Sequence, residues 1–358
     1  MSTPIRVRAL YTRYPHWGAH AGMNQVVRFL DPVRVRARLQ PISDNDKDLP
    51  LPHPGLRRRL KTRVQAHGMA WYKLSDLNAE LRVLPGCVSG KIDVVHYLDA
   101  EHTAQYLPTW LRRARTSHTK TVATYHQPPD LLPTLVNPEI VATLDHVIVV
   151  SPVQLPFFRQ ALPDERIDVV LHGIDTDFFT PRTEARREGP FRCVTAGHWL
   201  RDWTAVRAVA VALPDVEFHV VTDRDTGLAG LANVRTHRNV DDATLRSIYQ
   251  QSDALFLPLT QSTANNSLLE GIACGLPAVS TDLPSVRAYL PGKEAFLIES
   301  NDPGDLADAV RRLVRDADLC TAMAAAARRR AEELSWTNVA RQVERVYRRL
   351  VNGTAAPS

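Results

Sequence analysis

At 358 residues the chain is longer than one hydrophobic core usually serves, so two domains are expected. An apolar fraction of 44% and a charged fraction of 23% suit a globular protein, and no apolar run approaches the roughly 18 residues of a membrane span or forms the core of a signal peptide. The net charge of +5 is mild, and Cys87, Cys193, Cys274 and Cys320 have neither metal-site nor redox-pair spacing, so the expectation is a cytoplasmic protein with reduced thiols, no metal and no cofactor.

Short β-rich runs alternate with helical patterns along most of the chain. In the first half, strands are predicted at 6–11, 33–39, 92–98, 121–125, 147–151 and 167–171, with helices such as 23–30 and 103–113 between them. The loop after the first strand, HWGAHAGMNQ, holds Gly18 and Gly22 ahead of a helix. Glycine there lets backbone amides approach a diphosphate or an acceptor closely, although a tight turn without a ligand fits the same residues. Arg57, Arg58, Arg59, Lys61 and Arg63 form a basic cluster that reads as a solvated helix face or as a contact with anionic lipid or an acidic acceptor. No recognition motif accompanies it, so nucleic acid is not expected as a partner. His96, inside VVHYL, reads as a core residue. His126 ends TVATYH at a strand's carboxyl end, where an imidazole can bond a sugar hydroxyl, relay a proton or cap its own loop.

The charged, turn-rich stretch HGIDTDFFTPRTEARREGP interrupts the pattern and reads as a linker. Strands resume at 191–196, 217–222, 254–258, 278–281 and 295–298, and the chain is helical after residue 302, ending in the amphipathic run 336–351. The alternation predicts an α/β architecture of two doubly wound, Rossmann-like domains facing a central cleft, with ligands at the carboxyl ends of the strands. The expected boundaries are 1–172, a linker at 173–189, a second domain at 190–334 and a last helix at 335–351.

No Gly-x-Gly-x-x-Gly follows the first strand and no Walker-type Gly-Lys-Ser/Thr occurs, so dinucleotide redox and P-loop chemistry lose ground. In the second half, FRCVTAG leads into HWLRDW, where Arg201 stands either as a surface arginine paired with an acid or as a cation for a diphosphate leaving group. The densest segment is STANNSLLEGIACGLPAVSTD, residues 262–282. Ser267 and Glu270 have capping-box spacing, Gly275 suits a left-handed helix stop, and a helix starting here after the 254–258 strand offers free N–H groups to a phosphate. Glu270 has two readings: the acidic half of that box, or a carboxylate that accepts both hydroxyls of a ribose.

LLEGIACGLPAVSTD resembles the nucleotide-sugar signature of the large retaining glycosyltransferase family with the GT-B fold, the glycosyl transferases group 1. HGIDTDFFTP is similar to that family's domain junction, TYHQ to its Thr-x-His acceptor-side loop, and LSWTNVARQVERVYRRL to the closing helix that crosses back to the first domain. The resemblance implies two facing domains and metal-independent transfer of a sugar from a UDP- or GDP-sugar to a hydroxyl acceptor, with retention. It implies a donor site of Gly22, Gly197, His198, Thr263, Asn265, Asn266, Ser267 and Glu270, with Glu270 on the ribose. His126 and Arg201 would serve catalysis, and a lipid-linked acceptor would bring the Arg57–Arg63 cluster onto the inner face of a membrane. Two departures stand out. Ser262 occupies the position of the family's second glutamate, and the Gly-Arg…Lys pair on the diphosphate reads Gly197-His198 with Trp203 near the lysine position. A sugar-nucleotide epimerase or hydrolase on the same scaffold, and a non-catalytic partner subunit, are the competing readings.

Overall fold

A computed structural model describes residues 3–14, 18–20, 22–45, 53–66, 68–114, 118–184 and 188–353. The HWGAHAGMNQ loop and the presumed linker are therefore covered in part, with 15–17, 21 and 185–187 outside the described residues.

β-branched runs bounded by polar turns become strands, and all of them pair in parallel. β1 (Ile5–Arg13), β2 (Val35–Ser43), β3 (Val94–Tyr97), β4 (Lys120–Tyr125), β5 (His146–Val149) and β6 (Ile167–Val169) form one sheet in the order β2-β1-β3-β4-β5-β6. β3 and β5 are buried at every position, as strands covered on both faces must be, which is why VVHY and HVIV show no polar alternation. The second sheet contains β7 (Phe191–Ala196), β8 (Val216–Val221), β9 (Val234–His237), β10 (Ala254–Leu257), β11 (Ala278–Thr281) and β12 (Ala295–Ile298), in the order β12-β11-β10-β7-β8-β9. The protein is thus an α/β molecule with two doubly wound sheets.

The chain divides into two units. The first takes the described residues of 1–17, 22–172 and 337–358, and the second those of 18–21 and 173–336. The last helix, Trp336–Asn352, accordingly serves the first unit over most of its length. There the Glu344 carboxylate accepts from the Asp31 N–H at 2.6 Å, and the Tyr347 hydroxyl bonds His96 Nδ1, also at 2.6 Å. His96 is fully buried, its Nε2 bonded to the Thr124 hydroxyl at 2.7 Å, which is the core role expected of it. Much of the stretch read as a linker is structured within the second unit. Ile174 and Phe179 are buried, and Arg328 donates to the carbonyls of Phe179 and Thr176.

The helix expected at 103–113 is two helices, Ala100–Thr103 and Leu107–Ala114. Glu80 causes the break. This buried carboxylate accepts the N–H of Gln105 at 3.2 Å and of Tyr106 at 2.9 Å, so neither joins a helical ladder. The basic cluster lies on the helix Pro54–Gln65, where Val64 is buried and Arg58, Arg59, Lys61 and Arg63 are exposed. No helix among the described residues is long and apolar enough to cross a membrane.

Candidate functional site

A parallel sheet opens a crevice where its strand order reverses. In the second unit that point lies between β7 and β10, and both following loops carry the residues singled out in the sequence. After β7 the chain turns at Gly197 with φ +81°, and Leu200 also adopts a left-handed φ of +58°. The turn folds the Arg201 guanidinium back under the strand end. Its Nε and Nη2 donate to the Ala196 carbonyl at 3.0 and 2.8 Å, and Nη1 donates to the Trp199 carbonyl at 2.8 Å. Nη2 also reaches the Ser267 hydroxyl at 3.1 Å and Asn265 Oδ1 at 3.3 Å. Burial pulls the guanidinium down to about 10, so it stays charged near neutral pH. A Cβ at position 197 would sit 2.9 Å from Arg201 Nη2. Gly197→Ala is therefore expected to cost about 1–2 kcal/mol from the left-handed backbone alone and to displace the guanidinium. A thermal melt should read this as a drop of several degrees.

After β10 the helix Asn266–Ala273 begins. Its cap corrects the sequence reading. Asn265, not Ser267, is the N-cap, its side chain accepting the Leu268 N–H at 3.3 Å. The helix starts one residue before Ser267, so the Ser267 hydroxyl points back and donates to the Ala196 carbonyl at 3.0 Å. Glu270 is not half of a capping box either. It is buried, and Oε2 accepts the Tyr249 hydroxyl at 2.9 Å. Oε1 has no partner among the described residues. Burial pushes this carboxyl up to about 7, against the opposing pull of the Tyr249 hydroxyl. The N–H groups of Asn266 and Ser267 likewise bond no protein acceptor among the described residues, as expected for the orphan donors of a first turn. The helix ends as its spacing predicts, with Gly275 at φ +74° donating to the Ile272 carbonyl and Leu276 donating to that of Gly271.

Arg201, Gly197, Asn265, Asn266, Ser267 and Glu270 thus converge on one strand-end site in the second unit. Thr263 and Ser262 are buried in the loop leading to it, while His198 is exposed in the turn before Arg201. Tyr249 is a member that sequence reading missed, because it lies on the helix Asp242–Gln250 with no motif around it.

Gly22 and His126 belong to the first unit. Gly22 precedes the 3-10 helix Met23–Phe29 with φ +88° and is buried. His126 follows β4 and faces Glu101, with Nδ1 at 3.9 Å from the carboxylate, while the backbone N–H groups of His126 and Gln127 donate to Glu101 Oε1. Burial alone would push this imidazole down, but Glu101 outweighs it and holds His126 above its ordinary value. Asp99 joins β3 to β1, the point of strand reversal in this sheet, by accepting the Thr12 N–H at 2.7 Å. Asp99 and Glu101 were also missed. LDAEHT directly follows the fully buried strand β3, but nothing in its spacing marks these carboxylates.

Residues 198–316 match the family model described as Glycosyl transferases group 1. A D-inositol 3-phosphate glycosyltransferase of Paenarthrobacter aurescens (strain TC1) is 30% identical over 220 residues, which cover 54% of this chain and 54% of that one. The chain therefore aligns with about half the length of the curated relatives it matches. Among solved structures, the sucrose-phosphate synthase from Thermosynechococcus elongatus superposes with a TM-score of 0.73 at 15% identity, covering 98% of this chain and 100% of that chain. The Anabaena protein HepE in complex with UDP and glucose gives 0.67 at 13%, covering 96% and 99%. At these identities the structures establish a shared fold.

Proposed function

Taking as premise that this chain is a GT-B protein of the glycosyl transferases group 1, we propose that it moves a sugar from a UDP- or GDP-sugar to a hydroxyl acceptor. The observation that carries this reading is the start of the helix Asn266–Ala273. Two N–H groups without a partner among the described residues stand there beside the Arg201 cation, and a buried carboxylate with one oxygen open among those residues follows three positions after Ser267. A diphosphate matches the N–H groups and the cation, and ribose hydroxyls match Glu270.

Catalysis on this reading is electrostatic. As the bond between the sugar's anomeric carbon and the diphosphate oxygen breaks, charge grows on that oxygen, and donors fixed beforehand stabilise it. The acceptor oxygen bonds the anomeric carbon, and the acceptor's proton passes to the departing diphosphate on the same face, which retains configuration. No metal is required by this scheme. Thr263, Asn265 and Asn266 would take over the sugar contacts that a carboxylate at Ser262 would make. In the first unit His126, which Glu101 holds above its ordinary value, would donate to a hydroxyl of sugar or acceptor.

Thermal melts with UDP-glucose, UDP-galactose, UDP-N-acetylglucosamine and GDP-mannose test the donor assignment. At least one is expected to raise the melting temperature progressively with concentration, by about 2.7 kcal/mol of stabilisation at a hundred times its Kd. A flat response to all four would sink it. Release of free nucleotide without acceptor, at the rate seen with the best acceptor, would point to a hydrolase instead.

A further inference from the structure

The strand ends of the first unit carry an excess of carboxylate that the donor chemistry does not use. Asp99 is 7% exposed, its Oδ2 is taken by the Thr12 N–H, and its Oδ1 has no partner among the described residues. Asp44 and Glu101 act on the same neighbourhood, since together with Asp99 they raise the pKa of the Tyr14 hydroxyl, adding to its burial. Two cations that act on Asp99 are already engaged. Lys73 is ion-paired with Asp44, and His126 faces Glu101. Rings line the same place: Trp71 stacks on His102 with centroids 4.7 Å apart, and the Tyr14 hydroxyl bonds His102 Nε2 at 2.9 Å. His102 Nδ1 is enclosed without a hydrogen-bond partner.

An open oxygen on a nearly buried carboxylate asks for a hydrogen-bond donor, preferably a charged one, because an unsatisfied buried acceptor is costly. A half-buried indole adds a face for the C–H side of a ring or for a cation. A phosphate group, with roughly −1.5 to −2 charge at neutral pH, meets the like charge of Asp99, Asp44 and Glu101 here, while Lys73 and His126 already face carboxylates.

We propose that this cluster, Asp99 with His102, Tyr14 and Trp71, binds an unphosphorylated acceptor of the amino-sugar class, whose hydroxyl or ammonium group donates to Asp99, and discriminates against a phosphorylated polyol. The proposal rests on the glycosyltransferase reading, because it names the acceptor of that reaction.

The test uses the full chain with UDP present and follows binding of D-glucosamine and D-inositol 3-phosphate by NMR titration. Glucosamine is expected to bind at least tenfold more tightly than the inositol phosphate. Asp99→Asn, which keeps an oxygen for the Thr12 N–H, is expected to shrink that ratio about tenfold or more while leaving UDP-sugar binding unchanged. Asp44→Asn, which frees the Lys73 ammonium, is expected to tighten inositol phosphate binding, and it serves if Asp99→Asn does not fold. Equal or tighter binding of D-inositol 3-phosphate by the unaltered chain, or a ratio indifferent to both substitutions, overturns the proposal. Absence of any UDP-sugar binding would instead remove the reading on which it rests.

Discussion

Glu270→Gln should weaken nucleotide-sugar binding by about ten- to hundredfold, since a hydrogen bond to a charged group is worth about 1.5–3 kcal/mol. The same residue sets two pH dependences of opposite sign. Burial lifts its carboxyl to about 7 in the folded chain, above the ordinary carboxylate value of about 4.3. Between those two values the folded state binds more protons than the unfolded one, so this group's contribution to stability is full at the acid end and is lost as pH rises to about 7. Donor binding runs the other way, because only the ionised carboxylate accepts from both ribose hydroxyls. Affinity should therefore climb as pH passes through about 7, while the ligand-free protein melts at a lower temperature. Calorimetric titrations and melts from pH 5.5 to 8.5 would read both slopes, and in Glu270→Gln both should flatten. An unchanged affinity at every pH would return Glu270 to a purely structural role.

The second large effect concerns stability. Glu80→Ala should lower stability by about 3–5 kcal/mol, the typical cost of removing one side of a buried polar network. Four donors converge on this fully buried carboxylate: the hydroxyls of Tyr72 at 2.7 Å and Tyr97 at 2.9 Å, and the N–H groups of Gln105 and Tyr106. Both tyrosines are themselves fully buried, so their hydroxyls would have no solvent to turn to. The melting temperature should fall by about 10 °C. Glu80→Gln keeps one acceptor oxygen but presents an amide NH2 to the remaining donors, so an intermediate loss is expected. A variant that melts like the unaltered chain would mean that water replaces the carboxylate.

The strands were legible where apolar runs are bounded by turn residues. β7, β11 and β12 have the limits predicted for them, because FRCVTA, AVST and AFLI are short runs rich in apolar and β-branched residues. β9 was not legible. VRTH lies at the sheet edge with Arg235 and Thr236 exposed, so it contains no apolar run. The split around Gln105 could not be read at all, because its cause sits 25 residues away on Glu80. The strand-end residues of the second unit were singled out through local spacing, yet the physics attached to that spacing was wrong. Ser267 and Glu270 match a capping box in one dimension, whereas in three dimensions their partners are Ala196 and Tyr249. Asp99 and Glu101 show the converse: plain carboxylates in sequence, they gain meaning only because β3 lies beside β1 at the point of strand reversal.

The return of the last helix to the first unit bears on the order in which the molecule is made. Tyr347 meets His96 across 251 positions, and Glu344 meets Asp31 across 313. The β2-β1-β3-β4-β5-β6 sheet can assemble as soon as it leaves the ribosome, but the face carrying His96 stays uncovered until nearly the whole chain has been synthesised. The second unit, by contrast, draws almost all of its residues from one continuous stretch and can mature first. Synthesis that stops before residue 337 would accordingly harm the unit that was translated earliest and spare the later one.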